Sequence, residues 1–314
     1  MFRLRFVRDN TKIQFMRGRI LGLVVSAVLS TTSIILFFYP GLNYGIDFKG
    51  GISIEARTQG PADFSALRSK INGLGLGEAQ LQSFGSDRDV LIRLERQPGG
   101  EEAQQNAVEA VRGLLTKSFP GTEIRSVEAV GATVSGELFQ SGMLALGLAL
   151  VAMLAYIAFR FEWQFGVGAV VTLILDVTKT VGFFVITGLQ FNLTSLAAIL
   201  TIMGYSINDK VVVYDRVREN LRKYKSMPLR ELIDLSINET LNRTINTSFT
   251  TFLATIALAV IATGAVKEFA IVILFGIVIG TSSSIFIAAP ILLFLGENRL
   301  RRGGKPKAVA SARP

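Results

Sequence analysis

The sequence predicts a polytopic α-helical membrane protein with six transmembrane helices and a small α+β domain between the first two. Half of its 314 residues are hydrophobic and its mean hydropathy is +0.45, which is too apolar for an ordinary soluble domain. The apolar residues fall into six runs of about 20, the length at which a helix crosses a bilayer. Lys and Arg cluster beside these runs on one predicted side of the membrane, as the positive-inside rule requires.

The composition excludes several classes of function. The chain has no cysteine and no histidine, so it cannot form a disulfide, a zinc–thiolate site or a thiol nucleophile. Any proton carrier must then be a carboxylate, a lysine or water. The net charge of +9 follows the apolar runs without aromatic interleaving, so we expect no nucleic-acid partner. No G-x-x-x-x-G-K-[ST] phosphate loop is present, and we predict no enzyme active site, cofactor or metal site.

The chain begins with a basic segment and an apolar run. Residues 1–19 are predicted to form a cytoplasmic N-terminus. The run at 20–38 is either the core of a cleaved signal peptide or a first membrane span. It is long for a signal peptide, and FYPGLNYG after it offers no small-x-small cleavage site. We therefore predict an uncleaved transmembrane helix that starts in the cytoplasm.

Residues 39–136 carry charges and alternating patterns, and we predict a periplasmic domain there. Four segments alternate like strands and two have helical spacing. In chain order the six segments are 51–57, 61–71, 79–84, 89–95, 101–118 and 122–130. A turn at 86–88 separates the second and third strands. The order β-α-β-β-α-β is typical of ferredoxin-like domains.

Five further spans follow this domain. They are predicted at 138–159, 165–187, 193–214, 243–262 and 269–295. A basic cytoplasmic loop is expected at 215–242, with an amphipathic helix near 229–241, and a basic cytoplasmic tail at 296–314. Six spans place both termini in the cytoplasm. Every Lys/Arg cluster then lies on that side, while the short outer turns carry almost none.

The last span carries a row of small residues. Gly276-x-x-x-Gly280 is followed by Thr281–Ser284, a pattern that favours close helix packing in membranes. The alternative is that these residues face lipid. Pro290 is expected to kink the same span.

Three spans carry ionisable groups away from their ends. Asp209 lies about five residues, or ~7 Å of helix rise, inside the cytoplasmic end of span four. A charge in the bilayer costs roughly 2.5–3.5 kcal/mol on insertion scales. Arg243 opens span five from the same side, so an ion pair with Asp209 is geometrically possible. Asp176 lies near mid-membrane in span three, with Lys179 at i+3 on the same helix face.

Two interpretations of these groups stay open. In the structural one, Asp209 is an interfacial residue at a helix end and Arg243 is a snorkelling anchor. Asp176 and Lys179 are then a self-neutralised pair. In the functional one, Asp209, Arg243 and Asp176 form a proton relay, with the polar Asn208 beside the first of them. One proton crossing about 100 mV releases roughly 2.3 kcal/mol, which could drive a movement of the outer domain.

Four segments carry long and specific motifs. They are GIDFKGG at Gly45–Gly51, VEAVGATVSGEL at Val127–Leu138, the stretch Phe191–Asn220, and LNRTINTSFTT at Leu241–Thr251. These motifs resemble the SecD/SecF family of Sec-translocon accessory subunits, which belongs to the RND superfamily, and they are most similar to its SecF branch. In the first motif, the residues that carry the family pattern are Gly45, Asp47, Gly50 and Gly51. The resemblance covers nearly the whole chain and implies a six-span, RND-type half.

The resemblance also implies partners and a role. It implies a bacterial inner-membrane protein that pairs with the homologous SecD near the SecYEG channel, often with YajC and YidC. Such a pair uses the proton-motive force to draw preproteins out of the channel on the periplasmic side. In the family, the residues matching Asp209 and Arg243 are linked to proton conduction. The residue matching Asp176 lies in another span motif.

The chain departs from the family pattern beside these residues. Lys210 stands where Thr is common, and it would be able to pair with Asp209 and hold it ionised. Leu175 stands where His is common, and Lys179 is likewise unexpected. We treat Lys210, Asn208 and Lys179 as residues that modulate the relay.

Three functions remain compatible with the sequence. They are a proton-driven translocase subunit, a self-contained RND-like exporter of a small molecule or lipid, and a passive scaffold for the translocon. RND exporters usually contain two such halves, whereas this chain has one, which argues against the second. The dependence of export on a proton gradient would separate the first from the third.

Overall fold

A computed structural model describes residues 11–84 and 86–295, so the predicted tail at 296–314 and residues 1–10 of the basic N-terminus lie outside the described residues. Within these ranges the chain forms ten α-helices and four strands. They are α1 (Arg19–Phe38), α2 (Ile46–Lys49), β1 (Gly51–Arg57), α3 (Phe64–Asn72), β2 (Gln80–Phe84), β3 (Ser86–Leu94), α4 (Gly100–Ser118), β4 (Glu123–Val130), α5 (Ala132–Arg160), α6 (Trp163–Thr187), α7 (Leu193–Lys223), α8 (Leu229–Ile261), α9 (Gly264–Ser283) and α10 (Ala289–Phe294). A short 3-10 helix at Phe15–Arg17 precedes α1, and a π-helical turn at Ser284–Ala288 joins α9 to α10.

Six helical segments are long and apolar enough to cross a membrane. They are α1, α5, α6, α7, α8 and the continuous stretch from α9 through α10. Together with the small sheet between α1 and α5, they confirm the predicted fold class.

The segment between α1 and α5 folds as the predicted α+β domain, called the sheet domain below. Its strands form one antiparallel sheet in the order β2-β3-β1-β4, which is the ferredoxin-like arrangement. Ile52, Ile54 and Ala56 of β1 are buried because alternate side chains of a strand point to the same face. On α4, Val111 and Leu115 pack into the same apolar core, to which α3 also contributes.

Two boundaries in the sheet domain differ from the predicted ones. The first helix begins at Phe64 and not at Pro61, because the side chain of Asp63 accepts hydrogen bonds from the first-turn N–H groups and caps the helix there. The turn predicted at 86–88 lies inside β3, whose pairing with β2 extends as far as Ser86.

The stretch 215–242, predicted as a loop with one short helix, is instead an antiparallel helical hairpin. α7 continues to Lys223 and α8 begins at Leu229, well before the predicted start of span five. The two arms pack through buried side chains, and Asn220 Nδ2 donates to Ser236 Oγ at 3.0 Å. The loop prediction was wrong because the charged residues lie on the outer faces of helices whose other faces are buried.

The predicted small-residue face of the last span packs against α7. Gly276 lies against Ile202, and Gly280 lies against Ser206. A methyl group added at Gly276 would overlap the Ile202 side chain. The π-helical turn then directly precedes α10 and its Pro290, where the missing N–H and the ring disfavour a regular α-helical turn.

Gly276→Ala is expected to lower the stability of the helix bundle, because the added methyl overlaps Ile202. Overpacking of this kind costs about 1–3 kcal/mol. The thermal unfolding midpoint of the purified chain in detergent measures the effect. Gly204→Ala on α7 is the matched control, since no atom lies within 4 Å of a Cβ built there. Equal midpoints for the two variants would contradict the close approach of α9 to α7.

Asp89 makes the main charged contact of the sheet domain. Its carboxylate accepts hydrogen bonds from Arg57 Nε at 2.7 Å and Arg57 Nη2 at 2.8 Å, and a third from Ser86 Oγ at 2.7 Å. The Arg57 hydrogen bonds lower the pKa of Asp89 from 3.8 to about 2. The folded domain therefore binds this proton less tightly than the unfolded chain does.

The contribution of Asp89 to stability is expected to depend on pH. It is fully present above pH about 4 and is lost as the pH falls toward about 2, because the depressed pKa belongs to the folded state. Hydrogen exchange of the β1 and β3 amides between pH 5 and pH 2 measures it. Asp89→Asn should reduce protection at pH 5 and flatten the pH dependence. A wild-type profile in this variant would rule out Asp89 as the titrating group.

Candidate functional site

A cluster of buried charges joins α6, α7 and α9. At its centre, Asp176 of α6 is 1% exposed. Lys210 of α7 places its Nζ 2.9 Å from Asp176 Oδ2, and Lys179 places its Nζ 3.4 Å from Asp176 Oδ1. The hydroxyls of Ser206 and Ser283 each donate to Asp176 Oδ2 at 2.7 Å. Three helices therefore meet at one carboxylate.

Burial determines the energetics of this cluster. Each ion removed from water loses several kcal/mol of hydration, which only close, well-oriented partners offset. The Asp176 carboxylate has such partners in two ammonium groups and two hydroxyls. One carboxylate does not balance two protonated lysines. Asp209, the neighbour of Lys210 on α7, adds a second carboxylate, so two carboxylates and two lysines together have a formal charge of zero.

Asp209 points toward α8. Thr244 Oγ1 donates to Asp209 Oδ1 at 2.7 Å. Asp209 Oδ2 is buried and accepts no hydrogen bond from the part of the chain that the structure describes. The nearby Ser284 hydroxyl donates to Gly280 O at 2.9 Å instead. A buried carboxylate oxygen without a donor is costly while it is charged, and a proton added to it removes that cost.

Arg243 and Asn208 are exposed on the outer surface of the helices. Arg243 lies near enough to Asp209 for their opposite charges to attract, but no ion pair joins them among the residues described. The ion pair that matching depth allowed is therefore not formed. The reason is that Thr244, the next residue along α8, occupies the face toward α7. Consecutive helical residues point about 100° apart, so Arg243 points elsewhere.

Lys210 pairs with Asp176 and not with its chain neighbour Asp209. Because successive helical residues diverge by about 100°, Lys210 faces α6 when Asp209 faces α8. Lys210 therefore links two spans, and this corrects the expectation that it holds Asp209 ionised by direct pairing.

Three hydroxyl residues of the site were missed from the sequence: Ser206, Ser283 and Thr244. Ser206 precedes Lys210 by four residues, a spacing that places both on one helix face. Ser283 belongs to the small polar run after Gly280. Thr244 directly follows Arg243. Spacing could have indicated the first of these, but no sequence pattern showed which way the others point.

The glycine-rich motif after α1 ties the sheet domain to the start of α7. The Gly45 N–H donates to Phe191 O at 3.0 Å, just before α7 begins. Asp47 Oδ2 accepts from the Leu193 N–H at 3.0 Å and so satisfies a first-turn donor of α7. The motif is therefore a mechanical connection between the domain and the central span.

The two glycines that end this motif turn the chain into β1. Gly50 and Gly51 have φ angles of +73° and +127°, which side-chain-bearing residues rarely adopt. A Cβ at Gly51 would lie 2.5 Å from Leu94 O on the paired strand β3. Glycine is required here both by backbone conformation and by space.

The site brings together two carboxylates, two lysines and several hydroxyls, side chains whose chemistry allows proton transfer and the exchange of ion-pair partners. Among residues 11–84 and 86–295, no three carboxylate, histidine or cysteine side chains converge as metal ligands would.

Two protein families match the chain. "Protein export membrane protein SecD/SecF, C-terminal" matches residues 110–298, which include the buried charges of the spans at Asp176, Lys179, Asp209 and Lys210. "SecD/SecF GG Motif" matches residues 35–62, which include the motif that contacts the start of α7.

Curated relatives match over nearly their full length. Protein translocase subunit SecF of Rickettsia rickettsii is 44% identical over 303 residues, covering 96% of this chain and 98% of the relative. Protein translocase subunit SecF of Rickettsia bellii is 42% identical over 306 residues, covering 96% and 99%.

Two solved SecDF structures resemble the chain over part of their length. The SecDF crystal structure from Thermus thermophilus has a TM-score of 0.83 and 32% identity, covering 92% of this chain and 39% of SecDF. SecDF in a super-membrane-facing form has a TM-score of 0.66 and 30% identity, covering 96% and 41%. The chain thus spans about two fifths of each SecDF chain.

Lys210→Met is expected to destabilise the helix bundle by about 3–5 kcal/mol, because it removes the closest cation from a buried carboxylate. Chemical unfolding of the purified chain in detergent measures the loss. Lys225→Met is the control, since Lys225 is exposed in the turn between α7 and α8.

The double variant Asp176→Asn/Lys210→Met should recover part of that stability, because it leaves no unpaired carboxylate at position 176. If Lys210→Met costs no more than Lys225→Met, the buried ion pair does not support the fold as described.

Proposed function

This chain belongs to the SecD/SecF protein-export family, and from that premise we propose that it acts as a SecF-type protein translocase subunit. Sequence similarity to the SecF relatives runs over 96% of the chain, which supports a role for the chain as a unit. Its task in this proposal is to promote preprotein export, using the proton-motive force.

The proposed partner is a SecD protein, with which the chain forms a heterocomplex. The chain spans about two fifths of each SecDF chain that it resembles. The SecDF chains therefore contain a further part, which a separate SecD protein would supply here. Exposed polar groups on α7 and α8 support the contact surface: Asn208, Arg243 and Thr247 would be unfavourable against lipid. The pair acts beside the SecYEG channel, with YajC and YidC as further partners and a translocating preprotein as cargo.

The proposed relay consists of Asp209, Arg243 and Asp176. The observation that carries it is the buried Asp209 Oδ2 without a hydrogen-bond donor among the described residues. Proton uptake there removes the charge that attracts Arg243. It also raises the formal charge of the four buried groups from zero to +1, which favours a rearrangement of the ion pairs between Asp176 and the two lysines. In this proposal Lys210, Lys179 and the neighbouring Asn208 modulate the relay.

Helix α7 transmits the change to the sheet domain. Asp209 and Leu193 are joined by about 24 Å of continuous helix, and the Leu193 N–H is bonded to Asp47 of the motif. One proton crossing about 100 mV supplies roughly 2.3 kcal/mol. That energy is comparable to rearranging a few hydrogen bonds at the domain junction.

The proposed location is the bacterial inner membrane, with both termini in the cytoplasm and the sheet domain in the periplasm. The basic hairpin of α7 and α8 lies at the opposite end of the spans from the sheet domain. Under the positive-inside rule, that hairpin belongs to the cytoplasmic side.

Asp209→Asn is expected to abolish the gradient-dependent part of preprotein export, because an amide keeps the shape of the carboxyl group but takes up no proton. The measurement uses vesicles that hold the chain with SecD and SecYEG, with and without a defined proton gradient. Asp215→Asn is the matched control on the same helix, because Asp215 is ion-paired with Arg160 at 2.6 Å and lies beyond the buried cluster.

Full gradient dependence in Asp209→Asn would exclude the relay and leave a passive scaffold as the function. Equal losses in both variants would mean that any charge change on α7 impairs export, and the relay would again lose its support.

A further inference from the structure

A basic cavity lies at the end of the spans opposite the sheet domain. Its volume is about 540 Å³. The lining residues come from the end of α5 and the outer part of α7: Arg160, Asp215, Arg218, Glu219, Arg222 and Lys223. Asp215, Arg218 and Arg222 are spaced i, i+3 and i+7, so they share one face of α7.

Both carboxylates of the cavity are already engaged. Asp215 Oδ2 lies 2.6 Å from Arg160 Nη2, which also fastens the end of α5 to this face of α7. Glu219 Oε2 lies 2.6 Å from Arg216 Nη1. Neither carboxylate is an ion-pair partner of the remaining cavity cations.

The other three cations of the cavity form no ion pair with its two carboxylates. Arg218, Arg222 and Lys223 form no ion pair among residues 11–84 and 86–295. Arg218 Nε is in addition buried without a hydrogen-bond acceptor in the described part of the chain. An anion entering the cavity would offset the cluster of positive charge.

The ends of two helices and two exposed aromatic residues indicate that the cavity lies at the height of the lipid headgroups. α5 ends at Arg160 and α6 begins at Trp163, so the turn between them marks the membrane boundary. Phe159 and Trp163 are 96% and 56% exposed, and aromatic residues prefer this boundary. Asp215 lies at the level of this turn, because it pairs with Arg160 at the end of α5. Arg218 and Arg222 lie about 4.5 Å and ~10 Å further along α7, which is within and just beyond a headgroup layer about 5–7 Å thick.

We propose that this cavity binds the phosphate of an anionic phospholipid from the adjacent leaflet. Arg218 and Arg222 are the principal donors, since a planar guanidinium matches phosphate oxygens in a bidentate manner. The acyl chains lie along the exposed Phe159 and Trp163 below the cavity. These aromatic residues favour a lipid over a free anion, which has no apolar part to bury. The site does not depend on the proton relay.

The carboxyl end of α7 attracts basic residues without any ligand, because the helix dipole favours cations there. Lys225 tests that effect separately. It lies two residues beyond the end of α7, carries the same charge and is exposed, but it does not line the cavity.

The experiment measures lipid binding to the full-length chain in detergent by native mass spectrometry. The probes are phosphatidylglycerol, phosphatidylethanolamine and inorganic phosphate. Phosphatidylglycerol should bind at least about tenfold more tightly than phosphatidylethanolamine, and Arg222→Gln should weaken its binding by about fivefold or more. Arg218→Lys/Arg222→Lys, which keeps the positive charges but not the planar guanidinium groups, should give an intermediate affinity. Lys225→Gln should bind like the parent chain.

Three results would overturn the proposal. One is equal affinity for phosphatidylglycerol and phosphatidylethanolamine. Another is displacement of phosphatidylglycerol by inorganic phosphate at equal concentration, which would indicate a free-anion site. The third is an equal loss in Arg222→Gln and Lys225→Gln, which would reduce the effect to general surface charge. Because Arg222 is exposed, its replacement leaves the packed core intact.

Discussion

The packing of three of the membrane spans depends on the buried carboxylate of Asp176. A carboxylate that is 1% exposed must be surrounded by donors, and these come from three different spans. Lys210 and Ser206 reach it from α7, and Ser283 reaches it from α9. The Gly276 and Gly280 positions bring α9 close enough to α7 for this convergence. Packing by small residues and charge compensation therefore depend on each other.

Asp209 is under a different constraint, although it lies one residue from Lys210. Its carboxylate faces α8, with one hydrogen bond from Thr244 and one oxygen that no described residue satisfies. The two carboxylates thus differ in kind: Asp176 is compensated on every side, whereas Asp209 is compensated on one. The two carboxylates therefore differ in their surroundings, although they have the same chemistry and lie in neighbouring helices.

The fold was largely predictable because its signals are periodic and local. Apolar run length located all six spans, and strand alternation gave the order of the sheet domain. The α7–α8 hairpin was missed because its outer faces are charged, which in sequence looks like a loop. The location of Asp176 and Asp209 inside long apolar helices, away from the helix ends, was also predictable. The directions of Lys210 and Arg243 were not, because direction depends on the rotation of each helix against its neighbours, and spacing along one helix does not contain that information.

Helix α7 is one long helix whose buried charge at Asp209 lies near its midpoint. Its 31 residues extend about 46 Å, longer than the ~30 Å hydrocarbon core. Asp209 divides it into arms of about 24 Å and ~21 Å, one ending at the sheet domain and the other in the hairpin. A tilt of about 10° around that point would displace both ends by roughly 4 Å in opposite directions. A tilt of α7 about Asp209 would therefore displace the sheet-domain end and the hairpin end of the helix by almost the same distance.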